Sequence, residues 1–322
     1  MNHVKKLFPV LFLIFTPVIL NAQTEQEALE AYNEGASLIA DDKMAAIAAF
    51  EKSLDIFNSL GVEGNDKQEL IQSKLPDLYY NVALDHYRAK EHNDAMSMFQ
   101  KTIEIAKKYD DPVTEQKAGS ALARYYNSFG GRALKNENFE EALKYFNDAV
   151  DLDPTLAKAY FYIGYIHEKQ DNIEEMISAY DKAIENGLAG NESDVAENAN
   201  ERAIKKLVIE ANNAKNAENY DQAIELLQKA KEYNNQYSEV HYLMAVVYNA
   251  REKWENAIES AKKAIKYEEG GENLLARDYF ELGDAYLGAG MEQEACDAYS
   301  KANTGDYAVS AQYQMEHVLK CE

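Results

Sequence analysis

Residues 123–154 read ARYYNSFGGRALKNENFEEALKYFNDAVDLDP, and the fold can be inferred from this stretch. Tyr126, Phe129 and Gly130 fall on one helical face, Ala142, Phe146 and Ala149 recur at helical spacing on a second, and Pro154 ends the run. Two amphipathic helices follow from that period. The informative detail is side-chain size. A glycine on the first helix and alanines on either side of a phenylalanine on the second mark places where two backbones approach closely and one ring fills the gap.

The same alternation returns along the chain. The close-approach place on the first helix of each pair holds Gly35, Ala83, Gly130, Gly164, Ala211, Ala245 and Gly283. On the second helix it holds Ala46, Ala95, Ala142, Met176, Ala223, Ala257 and Ala295. Four residues later stands the packing residue, Phe50, Phe99, Phe146, Tyr180, Leu227, Ala261 or Tyr299, and three residues beyond that a small one, Ser53, Thr102, Ala149, Ala183, Ala230, Ala264 or Ala302. Amphipathic helices in general share the period but not this fixed order of small and large positions. The order resembles the tetratricopeptide repeat, whose signature is an aromatic, Leu-Gly, Tyr, then Ala, Phe and Pro over 34 residues.

The resemblance implies an all-α, right-handed superhelical solenoid of about seven helix pairs, at about 27–57, 76–106, 123–154, 157–186, 204–235, 238–268 and 276–305, with a capping helix over 306–322. The second-helix positions recur every 34 to 49 residues, so three intervals carry extra length, at about 57–75, 106–122 and 187–203. These insertions are expected to lengthen first helices and to form a ridge along one edge. Breaks are expected at Gly61 and Gly64, Asp111-Pro112, Gly187 and Gly190, and Gly270-Gly271. A solenoid contacts only its neighbours along the chain, so its length need not divide into globular domains.

Residues 1–22 pair Lys5 and Lys6 with an apolar run, Leu7 to Leu20, ahead of Asn21-Ala22. That is the pattern of a cleaved secretory signal, and the run is too short for a span of about 20 residues. Cleavage after Ala22 predicts an exported chain, periplasmic or extracellular, including the periphery of an outer membrane. No later apolar run suggests a transmembrane segment. The net charge is −23, becoming −25 without Lys5 and Lys6, which excludes nucleic acid binding by bulk charge. Both cysteines, Cys296 and Cys321, lie near the C-terminus, and an oxidising compartment predicts that they pair. The closing segment from Ala295 to Cys321 also resembles that of other exported bacterial members of the repeat family.

Catalytic and metal motifs are not expected. His167-Glu168 opens like a zinc-protease helix, but Asp171 stands where the second histidine is needed. Gly283, Gly288 and Gly290 lack a following Gly-Lys-Ser/Thr, and Pro154 breaks the calcium-loop start at Asp151. No catalytic residue, cofactor or metal is assigned.

In the family, first helices line a concave face. The resemblance places there Tyr80, Arg88, Arg124, Lys135, Lys158, Phe161, Tyr165, Lys169, Lys205, Tyr242, Arg277 and Phe280. Eight bases, counting Lys215, then face four acids, Asp77, Glu168, Glu239 and Asp284, against the balance of the whole chain. Aromatic faces beside cationic heads suit an extended acidic peptide. Packing aromatics with Lys and Arg heads merely reaching solvent are the competing reading. The family's carboxylate clamp for chaperone tails is not carried over: Asn81 and Arg124 match, but Tyr32, Ala36 and Ser128 do not. The expected role is a non-enzymatic adaptor that binds a protein or peptide partner in the cell envelope. A carrier of small molecules or glycans in the Tyr-rich groove and a hydrolase of unrecognised type are the alternatives.

Overall fold

The computed structural model describes residues 24–62 and 65–321. The signal sequence and Gly64 lie outside the described residues. Fifteen α-helices account for most of these residues, and no strand occurs among them. The helices pair in chain order: α1 (Glu25–Leu38) with α2 (Lys43–Ser59), α3 (Asp66–Arg88) with α4 (His92–Lys108), and α5 (Pro112–Lys135) followed by α6 (Phe139–Leu152). Next come α7 (Ala157–Lys169) with α8 (Ile173–Ala189), α9 (Ser193–Asn216) with α10 (Tyr220–Tyr233), α11 (Ser238–Ala250) with α12 (Trp254–Tyr267), and α13 (Glu272–Gly288) with α14 (Glu292–Ala302). The chain forms two compact units, residues 1–122 and 123–322.

In every pair the small and large positions described above are buried. Gly164 shows why the small ones are small. A methyl group added there would lie 2.6 Å from Cδ1 of Tyr180, a ring that is itself fully buried. Phe146, also fully buried, sits in the same way against Gly130. Removing such a ring costs about 3–5 kcal/mol through lost burial and the cavity left behind.

The turn inside each pair repeats as well. In six of the seven pairs, all but α1–α2, a backbone N–H closes the hairpin onto a carbonyl five residues earlier, as from Glu91 to His86 (2.9 Å), Asn138 to Ala133 (3.0 Å) and Asn219 to Ala214 (2.8 Å). This helix-ending motif needs one left-handed residue. Lys90, Glu137, Asp171, Glu218 and Glu252 take that conformation, and only α13–α14 uses a glycine, Gly290.

Extra length in three intervals lengthens first helices at their N-termini: α3, α5 and α9 run for 23, 24 and 24 residues, against 13 for α7 and α11. The added turns are packed rather than standing free as a ridge. Ile71 and Leu75 of α3 are buried with Ile47 and Leu54 of α2, and Ala199 of α9 joins the cluster around Tyr180 and Ala183 of α8. Gly187 does not break the chain, because it lies buried inside α8 and lets the start of α9 approach. The C-terminal segment is not one regular helix. A 3₁₀ turn (Gly305–Tyr307) leads into α15 (Ala308–Tyr313), and the last turn widens to a π-helix over Gln314–Leu319. Left-handed Lys320 then turns the chain back, Cys321 N–H donates to Met315 O, and Cys321 is disulfide-bonded to Cys296 of α14.

Candidate functional site

Three residues before each close-approach position, a side chain on the first helix leans toward its own second helix. Four of the five aromatics there pack, tilted or edge-on, against the large packing residue of their repeat. Ring centroids are 5.9 Å apart for Tyr32 and Phe50, 5.8 Å for Tyr80 and Phe99, 6.0 Å for Phe161 and Tyr180, and 5.4 Å for Phe280 and Tyr299. Their first task is therefore packing, and each half-buried ring offers only its remaining surface. The exception has a cause in the sequence. Repeat six carries Ala261 in place of a ring, and there the Arg277 guanidinium lies over Tyr242 at 3.6 Å.

The cations separate into held and unheld groups. In the first unit Arg88 donates to Asp85 (3.0 Å). In the second, Lys158 lies 4.0 Å from Glu192, and Lys205 pairs with Glu201 one turn earlier. Arg277 is nearly buried among Glu239 (2.7 Å), Asp278 (3.1 Å) and Glu268 (3.8 Å). Apart from Glu239, these partners stand outside the positions used to count groove charge, so four of the eight counted bases are already paired.

Lys135, Tyr165 and Lys169 are brought together. They line a cleft of about 600 Å³ between the end of α5 and α7, with Gly131, Leu134, Glu137, Phe139 and Tyr162.

 A larger cleft of about 730 Å³ lies elsewhere, between α6, α7 and α8, is lined by Asp151, Tyr160, His167, Glu174 and Lys182, and holds none of the expected groove residues. In the smaller cleft, both lysines are exposed, and Lys169 Nζ lies 5.4 Å from the centre of the Tyr165 ring. Arg202 of α9 covers the same ring at 4.6 Å. It is fixed by a two-pronged contact with Glu168 (both 2.8 Å) and by the Tyr180 hydroxyl (3.1 Å), which itself donates to Glu168 (2.6 Å). Burial and the neighbouring Glu168 raise the Tyr180 pKa, so the hydroxyl remains a donor. Arg124 is exposed on α5.

Toward the C-terminus, α13 carries carboxylates beside the positions expected to face the groove. Glu281 accepts from the Asn249 side chain (3.1 Å), and burial, reinforced by nearby Asp284, pushes its carboxyl up to about 7. Asp284 accepts from the Tyr299 hydroxyl (2.6 Å), and burial raises it too. Asp278 is fully buried, and the cost of desolvation outweighs the pull of Arg277, leaving it up at about 7. The sequence frame missed Glu281 because it falls between the positions assigned to the groove, and Arg202 because it lies one turn before the first of them in its repeat. It also missed a cluster in the first unit, where His86, Glu91 and Asp94 bring ligand atoms within 4.8 Å of one another.

Paired helices, small-to-large packing and an exposed first-helix face define a helical-repeat scaffold of the kind that binds other proteins. The tetratricopeptide repeat profile matches residues 129–193 and 210–273, and the chain belongs to the tetratricopeptide repeat family. Similar solved structures include the MamA protein, at 19% identity over 61% of this chain and 96% of that one, with a TM-score of 0.36. YrrB, described as a TPR protein with an unusual peptide-binding site, is 18% identical over 68% of this chain and 97% of its own, with a TM-score of 0.36. A tetratricopeptide repeat protein from Parabacteroides merdae is 15% identical over 90% and 98% of the two chains, with a TM-score of 0.31. At these scores the family assignment rests on the profile match and on the repeat geometry.

Proposed function

We propose that this chain is a non-enzymatic adaptor of the cell envelope and that it holds an extended, acidic segment of a partner protein against the first helices of its second unit. The observation that carries this reading is the convergence of Lys135, Lys169 and Tyr165 on one open cleft, with no ion pair among the described residues drawing either lysine away from it. Exposed ammonium groups beside an aromatic face attract carboxylates, and the cleft walls add apolar contact. The groove is not uniformly basic. Carboxylates dominate around Glu281 and Asp284, so an acidic segment is confined to the α5–α7 end. Export is supported by the signal pattern and by the Cys296–Cys321 bond, which suits an oxidising compartment. No helix among the described residues is long and apolar enough to cross a membrane.

The test is capture of partners from envelope extract by the purified chain. Lys135→Glu with Lys169→Glu should reduce capture and its salt sensitivity, while Lys205→Glu, at a site already paired with Glu201, should change it little. Equal capture by the double variant and the wild type would remove the cleft from the binding surface.

A further inference from the structure

We propose that His86, Glu91 and Asp94 form a binding site for a divalent transition-metal ion of the zinc class, in the turn between α3 and α4. The backbone creates the juxtaposition. Left-handed Lys90 and the bond from Glu91 N–H to His86 O fold the last turn of α3 against the first turn of α4. One imidazole nitrogen and two carboxylates then share a space in which every ligand atom lies within 4.8 Å of the others. Ligands of a tetrahedral zinc ion, bonded at about 2.0–2.1 Å, stand about 3.4 Å apart. The widest spacing has to close by about 1.4 Å and the His86–Glu91 pair, 2.6 Å apart, has to open by about 0.8 Å, shifts within reach of the exposed Glu91 and Asp94 side chains. One nitrogen and two oxygens suit a borderline ion with water in the remaining position.

Other repeats show that this arrangement is not simply what the turn produces. Where Glu91 stands, Asp42, Asn138 and Asn219 accept a hydrogen bond from the backbone of the helix they begin, at 2.9, 3.4 and 3.5 Å. Glu91 makes no such capping bond. Its carboxylate instead lies 2.6 Å from His86 Nδ1. The α7–α8 turn supplies a natural control. It has the same backbone closure, from Asn172 N–H to His167 O, and a histidine at the same place, but the residue beside it is Asn172, whose amide lies 3.4 Å from His167 Nδ1. With one carboxylate replaced by an amide, that turn lacks the charge needed to hold a dication. The first turn has it, on a chain whose net charge of −23 already concentrates cations around it.

Calorimetric titration of the full exported chain with zinc chloride, in excess magnesium to occupy non-specific carboxylates, tests the site. The expected result is one binding event that His86→Gln weakens about tenfold or more, Asp94→Asn weakens less, and His167→Gln leaves unchanged. Far-UV circular dichroism of each variant checks the fold. If His86→Gln loses helicity, the exposed Asp94→Asn substitution decides. No zinc binding above the magnesium background, affinity unchanged in the folded variants, or an equal loss on His167→Gln would overturn the proposal.

Discussion

Replacing Gly164 by alanine tests the packing rule of the array at one of its tightest points. The added methyl would stand 2.6, 2.7 and 3.0 Å from three atoms of the Tyr180 ring. The ring cannot readily swing away, because its hydroxyl is held by Glu168 and Arg202. Overpacking of this kind costs about 1–3 kcal/mol. Alanine in a helix recovers about 0.5–1 kcal/mol relative to glycine, which leaves a net loss of about 1–2 kcal/mol. For a unit of this size each kcal/mol moves the melting temperature by about 2–4 °C, so Gly164→Ala should melt roughly 3–6 °C lower. Gly131 provides the contrast, since it is also helical but has nothing within 4 Å of an added methyl. Gly131→Ala should therefore melt slightly higher, by about 1–3 °C. Thermal melts of both variants beside the wild type, followed by circular dichroism, give the comparison. A Gly164→Ala protein as stable as the wild type would refute the claim that the small positions exist to admit the ring.

Reduction of the Cys296–Cys321 bond, which closes a separation of 25 residues, should cost about 3–4 kcal/mol. Hydrogen exchange should show the loss concentrated from α14 onward, and two alkylatable thiols in freshly isolated protein would reject the bond. Glu281 gives a pH signature: its folded pKa of about 7 lies above the ordinary carboxyl value, so its favourable contribution is complete below about pH 4 and disappears as pH rises through about 7. Wild-type urea midpoints should fall relative to those of Glu281→Gln across that window, and a difference independent of pH would contradict the assignment. Mass spectrometry of the exported chain should find Gln23 at its N-terminus; an intact Met1 in a membrane fraction would reject the cleaved signal.

The repeat frame was legible because it is written in side-chain volume. A glycine or alanine facing a ring is a local requirement of two touching helices, and it survives even where Met176 or Ala261 departs from the pattern. The groove was less legible. Position on a first helix marks Tyr80 or Phe280 as a groove candidate, but the partner ring that claims it lies on another helix. Charges were harder still. Arg277 was counted as a groove base, yet Glu268, in the loop after α12, helps to enclose it. The His86 cluster escaped for a different reason. Ligand motifs are sought at helical spacing, whereas these residues meet across a reversal of the chain.

The left-handed turn residues have a consequence for how copies of this chain meet. Glycine would hold that conformation at less cost, about 1 kcal/mol or more per position, yet in the second unit Glu137, Asp171, Glu218 and Glu252 occupy it, all exposed. Only Asp171 is drawn into an ion pair with a neighbouring helix, through Lys206 at 2.5 Å, among the contacts seen for these four. The hairpin tips thus carry carboxylates at regular intervals, and two copies approaching tip to tip bring like charges together before any apolar surface can touch. Stability given up at each turn is returned as colloidal dispersion, which matters for a protein whose packing surfaces are built to stack on their own kind.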